Sequence, residues 1–305
     1  MSRVLAFDTS NYTTSCAWFD GTDGGGGGRL LDVKPGELGL RQSEALFSHV
    51  KRLPEIVEKL GVSGPFDAVG ASDAPRETEG SYMPCFLAGT SQGMVLAQLL
   101  NVPFFSFSHQ QGHIAAAAWS AGRMDLLEQP HLAWHLSGGT TELLHVVKKG
   151  PAVSCTVIGG TTDVSAGQLI DRTGQRLQLP FPAGKAIDAL AAESVCEELF
   201  RMKTDGLYFS LSGVEHKMKQ RTEAGEKPSA TARFVLLSLI HAVEKVTAAA
   251  RELYGDLPVL FSGGVSSNSL LRERVTDGVF AEPRFSTDNA MGTAILTWRA
   301  VTGHG

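Results

Sequence analysis

His131-Leu132-Ala133-Trp134-His135-Leu136, then Ser137-Gly138-Gly139-Thr140-Thr141, then Glu142-Leu143-Leu144-His145-Val146-Val147 reads as a strand, a tight glycine turn and a returning strand. The chain opens on the same arrangement. Residues 3–8 form an apolar run fit for a buried strand, Thr9-Ser10-Asn11-Tyr12-Thr13 is a polar turn, and residues 14–20 are the return. A repeated strand–turn–strand unit, each copy followed by helices and further strands, predicts two similar α/β lobes. A ligand is then expected between the two turns. The expected division is an N-terminal lobe at 1–107 and a C-terminal lobe at 108–305, with the last helix packing back between them.

The rest of the chain fits an α/β pattern. Residues 24–28, all glycine, read as a flexible loop tip. Residues 30–33, 66–71 and 103–107 read as strands. Apolar spacing predicts helices over 42–59, with Pro54 a break or kink, and over 89–100, 166–177, 185–201 and 234–253. Residues 258–261 are a buried strand, a helix follows from Ser269, and residues 287–291 start the last helix.

Composition sets outer limits. The 305 residues are 43% hydrophobic and 19% charged, with a net charge of −5, enough for one large domain or two ordinary ones. Without a basic surplus, any contact with nucleic acid has to be local or to need a partner. Cys16, Cys85, Cys155 and Cys196 form no CxxC pair, so neither a zinc knuckle nor a disulfide scaffold is suggested. No signal peptide follows Met1, and no apolar run is long enough to span a bilayer. The expectation is a soluble cytoplasmic protein with no membrane contact.

Three constellations carry chemistry. His109-Gln110-Gln111-Gly112-His113 runs into an alanine-rich helix. Residues four apart share a helix face, so the two imidazoles could grip one metal ion; the same spacing also fits an ordinary helix start. Ser137-Gly138-Gly139 could bring backbone amides close to a phosphate, or be a plain hairpin turn. Ser262-Gly263-Gly264-Val265-Ser266-Ser267-Asn268 follows a strand and opens a helix, a geometry that aims amides at an anion or nucleotide. It has neither the Rossmann spacing nor the Walker lysine. Asp171 could accept hydrogen bonds from a ribose or be a solvated helix charge. Asp288 could cap the last helix or be the missing metal ligand.

Together these residues resemble the TsaD/Gcp family of tRNA adenosine threonylcarbamoyltransferases, once described as glycoprotein endopeptidases. His109 to His113 looks like its HxxGH motif. Ser137-Gly138-Gly139, Asp171, Gly184, Gly263-Gly264 with Asn268, and Ser286-Thr287-Asp288-Asn289-Ala290 follow in its order. Phe209-Ser210-Leu211-Ser212-Gly213 is similar to its FSFSG segment. The resemblance implies a two-lobed fold of the actin/Hsp70/sugar-kinase (ASKHA) type. It implies that His109, His113 and Asp288 hold iron or zinc, and that this metal anchors an acyl-adenylate. Ser137, Gly138, Gly139, Thr140, Asp171, Gly184, Gly263, Gly264 and Asn268 would bind an ATP- or AMP-type nucleotide. Thr9, Ser10 and Asn11 would line the substrate side. tRNA, with a family-type protein partner or a second copy of the chain, would complete the assembly.

The departures are local. The family's ETSCDET turn is here Asp8-Thr9-Ser10-Asn11-Tyr12-Thr13-Thr14, so Tyr12 and Thr13 replace an acidic pair. Thr140 replaces the histidine of SGGHT, and residues 73–80 replace a GPGL segment. This is the pattern of a divergent paralogue, either a transferase or a nucleotide- and metal-binding partner subunit. A metallopeptidase would need a general-base glutamate. Gln110 stands where HExxH would place one, and nothing in the sequence brings Glu142 there instead.

Overall fold

The computed structural model describes residues 2–10, 12–32, 40–287 and 289–304. It divides into two compact units. The first holds residues 1–129, 146–155 and 284–305, and the second 130–145 and 156–283. The expected boundary at 107/108 therefore does not hold: residues 108–129 stay with the first unit.

In chain order, the first unit opens with β1 (Val4–Asp8), β2 (Thr13–Phe19), β3 (Gly24–Leu30), α1 (Gln42–Leu60), β4 (Ala68–Ala74), α2 (Leu87–Leu100), β5 (Phe104–Ser108) and α3 (His109–Ser120). Its sheet runs β3-β2-β1-β4-β5. β1 pairs antiparallel with β2 and parallel with β4, which pairs parallel with β5. β1 is buried along its whole length, as a central strand covered on both faces must be.

The glycine run is a correction. Residues 24–28 are no loop tip; they form edge strand β3, paired with β2 from Phe19↔Gly24 to Thr13↔Leu30. Strand pairing is a backbone property, and here the absent side chains serve packing. A Cβ at Gly25 would meet the Trp18 indole nitrogen at 2.5 Å, and one at Gly24 the Trp18 carbonyl oxygen at 2.8 Å. The expected strand at 30–33 begins at Gly24 instead and ends at Leu30, and Val33 lies outside the described residues.

Next come β6 (His131–Leu136), β7 (Thr141–Lys149), β8 (Ala152–Thr161), α4 (Ala166–Arg176), α5 (Gly184–Ala192), β9 (Thr204–Asp205), β10 (Tyr208–Phe209), α6 (Ser212–Glu223), α7 (Pro228–Tyr254), β11 (Val259–Ser262), α8 (Ser269–Arg274), β12 (Gly278–Phe280) and α9 (Met291–Val301). The second sheet runs β12-β11-β6-β7-β8-β10-β9. Its first five strands repeat the first sheet in order, with β6 in the place of β1 and β11 and β12 parallel to it as β4 and β5 are to β1. The duplicated strand–turn–strand unit is therefore real. Buried Trp134, Leu136, Leu169, Phe261 and the inner face of α7 make the second unit's core.

Two helix expectations change. The helix expected over 185–201 ends at Ala192. Beyond it the chain is tied to other elements: Arg233 donates to the Cys196 carbonyl oxygen, and Glu197 pairs with Arg233 and Arg274. The last helix starts at Met291 and belongs wholly to the first unit, where it packs on α3, β1 and β4. Among the described residues no helix is long and apolar enough to cross a membrane.

Candidate functional site

In the first unit the site grows from the carboxyl end of β1 and the start of α3. β5 runs parallel to β4 and thus to β1, so Ser108 and Asp8 lie at the same carboxyl end of the sheet, where α/β sheets place their ligands. Each residue of the histidine motif has a local cause. Ser108 caps α3 by accepting from the Gln111 amide, and the Gln111 side chain returns to the Ser108 amide, a complete capping box. Gln111 also donates Nε2 to the Val153 carbonyl oxygen at 2.7 Å. Gly112 lies where α3 crosses α9: a Cβ at Gly292 would be driven into the Gly112 carbonyl oxygen, and one at Gly112 would lie 3.1 Å from Thr293 Oγ1.

What remains of the motif is the pair of imidazoles. His109 and His113 rings lie 4.3 Å apart, edge to face. His109 Nδ1 is 2.7 Å from Asp8 Oδ2. Asp8 is 1% exposed, and its other oxygen accepts the Ser10 amide at 2.9 Å. Asp288, the expected third ligand, lies outside the described residues, and among those described no group of three side chains is assembled as a metal cluster.

Of the expected substrate-side turn, Thr9 and Ser10 are buried. Thr9 is fully buried; its hydroxyl donates to the Cys85 carbonyl oxygen and accepts the Gly89 amide, tying β1 to the start of α2. Ser10 is buried, and its hydroxyl has no partner among the described residues. Asn11 lies outside the described residues. Beneath the turn, Thr14 Oγ1 and His49 Nδ1 are 2.8 Å apart. Burial pushes the His49 imidazole down to about 4, against the pull of the Asp8 carboxylate and with the help of Arg52.

The second unit joins most of the remaining expected residues into one chain of contacts. The turn between β6 and β7 closes on itself, with Thr140 N donating to Ser137 Oγ at 3.0 Å. It rests on the N-terminus of α4: Ser165 Oγ donates to the Gly138 carbonyl oxygen at 2.7 Å and the Gly167 amide to the Ser137 carbonyl oxygen at 3.1 Å. That approach requires Gly167, whose Cβ would lie 2.6 Å from Gly138 Cα. Gly138 and Gly139 are exposed, and a Cβ on either would meet no described residue within 4 Å. Asp171 accepts the Ala183 amide at 2.8 Å and so supports the start of α5 at Gly184.

Gly263 adopts φ +89° against the Leu136 carbonyl, a conformation and an approach that only glycine makes cheaply. Asn268 uses both ends of its amide within the protein. Its oxygen caps α8 through the Leu271 amide, and its nitrogen donates to Asp188 at 2.7 Å. Gly264 stands open next to it.

Sequence reasoning missed three carboxylates. Asp8 is the last residue of a buried strand, which is itself a signal, since strand ends carry sites. Asp188 also takes the Ser269 amide and hydroxyl, tying α5 to α8. Asp163 gathers the Ser210 hydroxyl and the amides of Val164, Leu211 and Ser212. Burial opposes its charge, but these donors outweigh burial and hold its carboxyl well below the usual range. Asp163 thereby anchors the FSLSG segment to the start of α4.

Comparison with known proteins adds family and fold. A family model for TsaD, tRNA N6-adenosine threonylcarbamoyltransferase, matches residues 45–295. A tRNA N6-adenosine threonylcarbamoyltransferase of Thermus thermophilus is 33% identical over 266 residues, covering 82% of this chain and 77% of the relative. That of Halalkalibacterium halodurans is 31% identical over 298 residues, 92% of this chain and 83% of the relative. Among solved structures, full-length HypF in its phosphate- and nucleotide-bound form aligns with a TM-score of 0.59 at 13% identity, over 99% of this chain and 55% of that one. A ROK hexokinase from Thermus thermophilus aligns at 0.51 and 13% identity, over 98% of each chain. The structural likenesses show the fold, which is of the sugar-kinase type expected from the sequence.

Proposed function

The chain belongs to the TsaD family, and from that premise we propose that it is a tRNA-modifying transferase. It moves a threonylcarbamoyl or related acyl group from an adenylate to the exocyclic amine of an adenine in tRNA. The observation that carries this reading is the span of the family match, residues 45–295. That span takes in the histidine pair of α3 and both glycine turns of the second unit.

The residues of the first unit fit a divalent metal. Two imidazoles meet one turn apart on α3, and one of them has a buried carboxylate on its Nδ1, as ligating histidines usually do on the nitrogen that faces away from the metal. His109 and His113, with Asp288 as the third ligand, would hold iron or zinc. When bound, such an ion supplies positive charge for phosphate or carbamate oxygens. In the second unit, the exposed Gly138-Gly139 backbone beside the N-terminus of α4 supplies amides for an AMP-type phosphate. Asp171 and Asp188 act by holding α5 against α4 and α8, which keeps those surfaces in register.

In the transfer, the amine nitrogen attacks the carbamoyl carbon, the bond from that carbon to the phosphate oxygen breaks, AMP leaves as the anion, and the amine proton passes to solvent. Main-chain amides of the Gly138-Gly139 turn, where they meet the phosphate, would stabilise the leaving anion. A net charge of −5 leaves the tRNA phosphates to local cations or to a protein partner. A nucleotide-binding subunit without transfer activity is the second reading, favoured by Tyr12, Thr13 and Thr140 at positions where the family carries ionisable groups.

The test is a transfer assay with metal-loaded protein, unmodified tRNA and threonylcarbamoyl-adenylate, followed by mass spectrometry of the digested nucleosides. Threonylcarbamoyladenosine in the digest is the expected result. Unmodified tRNA alongside intact AMP binding would overturn the transferase reading in favour of the subunit.

A further inference from the structure

Asp8 heads the first turn but the sequence assigns it no role, and its surroundings define what it does. It is 1% exposed at the end of β1. Oδ1 accepts the Ser10 amide at 2.9 Å, Oδ2 lies 2.7 Å from His109 Nδ1, and its own carbonyl oxygen accepts the Ser15 hydroxyl at 3.1 Å. The carboxylate is thus held between the Ser10 amide and the His109 ring, and its backbone is tied to β2 through Ser15. His109, the first residue of α3, is held in turn by the capping box that fixes the helix start.

An ionised carboxylate only accepts hydrogen bonds. With Asp8 as a carboxylate, the proton of the Asp8–His109 contact is on Nδ1, and the neutral imidazole then carries its lone pair on Nε2. A metal takes the deprotonated nitrogen.

We propose that Asp8 is a positioning residue that locks His109 in the Nδ1–H tautomer and so commits Nε2 to metal. The inference rests on the metal reading above and deepens it. It assigns the donor atom of one ligand and a role to a residue outside the histidine motif.

The geometry also predicts an unusually damaging conservative change. In Asp8→Asn the side-chain oxygen stays on the Ser10 amide, because that donor needs an acceptor. The amide NH2 then faces His109 Nδ1 and forces it to accept. The proton moves to Nε2, where a metal would bind. Asp8→Glu keeps a carboxylate and with it the tautomer.

The test uses the full chain. Long-range 1H–15N correlation of the metal-free protein reads the His109 tautomer, and competition with a chromophoric chelator reads Zn2+ affinity. The wild type is expected to carry the proton on Nδ1. Asp8→Asn should carry it on Nε2 and bind Zn2+ about 10- to 100-fold more weakly, while Asp8→Glu recovers most of the affinity. Wild-type His109 protonated on Nε2, or Asp8→Asn binding Zn2+ as tightly as wild type, would overturn the proposal. Should Asp8→Asn not fold, the wild-type tautomer and the Asp8→Glu affinity decide it. A wild type that shows the expected tautomer yet binds no Zn2+ refutes the metal reading itself, and the proposal falls with it.

Discussion

The two units place a turn at the same point of the same strand order and fill it differently. Between β1 and β2, Asp8, Thr9 and Ser10 are 1%, 0% and 3% exposed. Between β6 and β7, Gly138 and Gly139 are exposed, and a Cβ on either would touch no described residue. The first turn works through packed side chains and ends in a carboxylate on an imidazole. The second works through bare backbone laid on a helix N-terminus. A duplicated scaffold carries two different turns, one built of packed side chains and one of open main chain; under the proposed function the first would serve ligation and the second main-chain recognition. The local cost follows: side-chain sites need rigid packing beneath them, and backbone sites need space above them.

That contrast breaks most visibly under added volume. In the first unit Gly292→Ala pushes a methyl into the Gly112 carbonyl at the α3–α9 crossing. Neither helix backbone can yield cheaply, so denaturant unfolding should show a loss of about 3 kcal/mol or more, together with loss of metal binding. A Gly292→Ala protein as stable as wild type would mean that the crossing is not rigid.

Acid should separate the units next. The His49 imidazole is held down to about 4 from its ordinary 6.5, so between those values the unfolded chain binds the proton that the folded chain refuses. Stability is complete above pH 6.5 and falls toward pH 4, by up to roughly 3 kcal/mol. His49→Gln should flatten the curve in that window. Asp163 acts lower down: its carboxyl is held below the ordinary 3.8, so its contribution is present above that value and is lost only as the pH falls further. Unfolding curves for His49→Gln and Asp163→Asn across pH 2 to 7 should therefore lose their slopes in different windows. Identical curves would contradict the assignment.

The gentlest changes sharpen the second turn. Gly139→Val should lower AMP affinity about tenfold, read by calorimetry, by filling space that a phosphate needs; unchanged affinity would remove the turn from the nucleotide site. Gly138→Ala should shift unfolding by no more than about 0.5 kcal/mol, because no described residue occupies that space.

Much of this was legible because local rules and tertiary demand agreed. The helix expected from residue 166 starts at Ala166 and the alanine-rich helix at His109, each fixed by a capping box that the structure shows at Ser108 with Gln111 and at Ser165 with Gln168. The i, i+4 spacing brought the His109 and His113 rings together. The repeated strand–turn–strand pattern carried through to the strand order. The failures lie where a distant partner overrode a local signal. Five glycines read as a loop became a strand because β2 offered a ladder and Trp18 needed the room. Residues beyond Ala192 left the helix because Arg233 and Arg274 hold them. Asp188 escaped notice because a lone carboxylate acquires meaning from what folds against it, 80 residues away; Asp8 had its place at a strand end as a signal, but its partner His109 lies 101 residues on.

The most direct test of the side-chain site is elemental analysis of tag-free protein, wild type against His113→Ala, after reconstitution with iron or zinc. One metal per chain in the wild type and none in His113→Ala is the predicted result. No metal in the wild type, or equal metal in both, would contradict it.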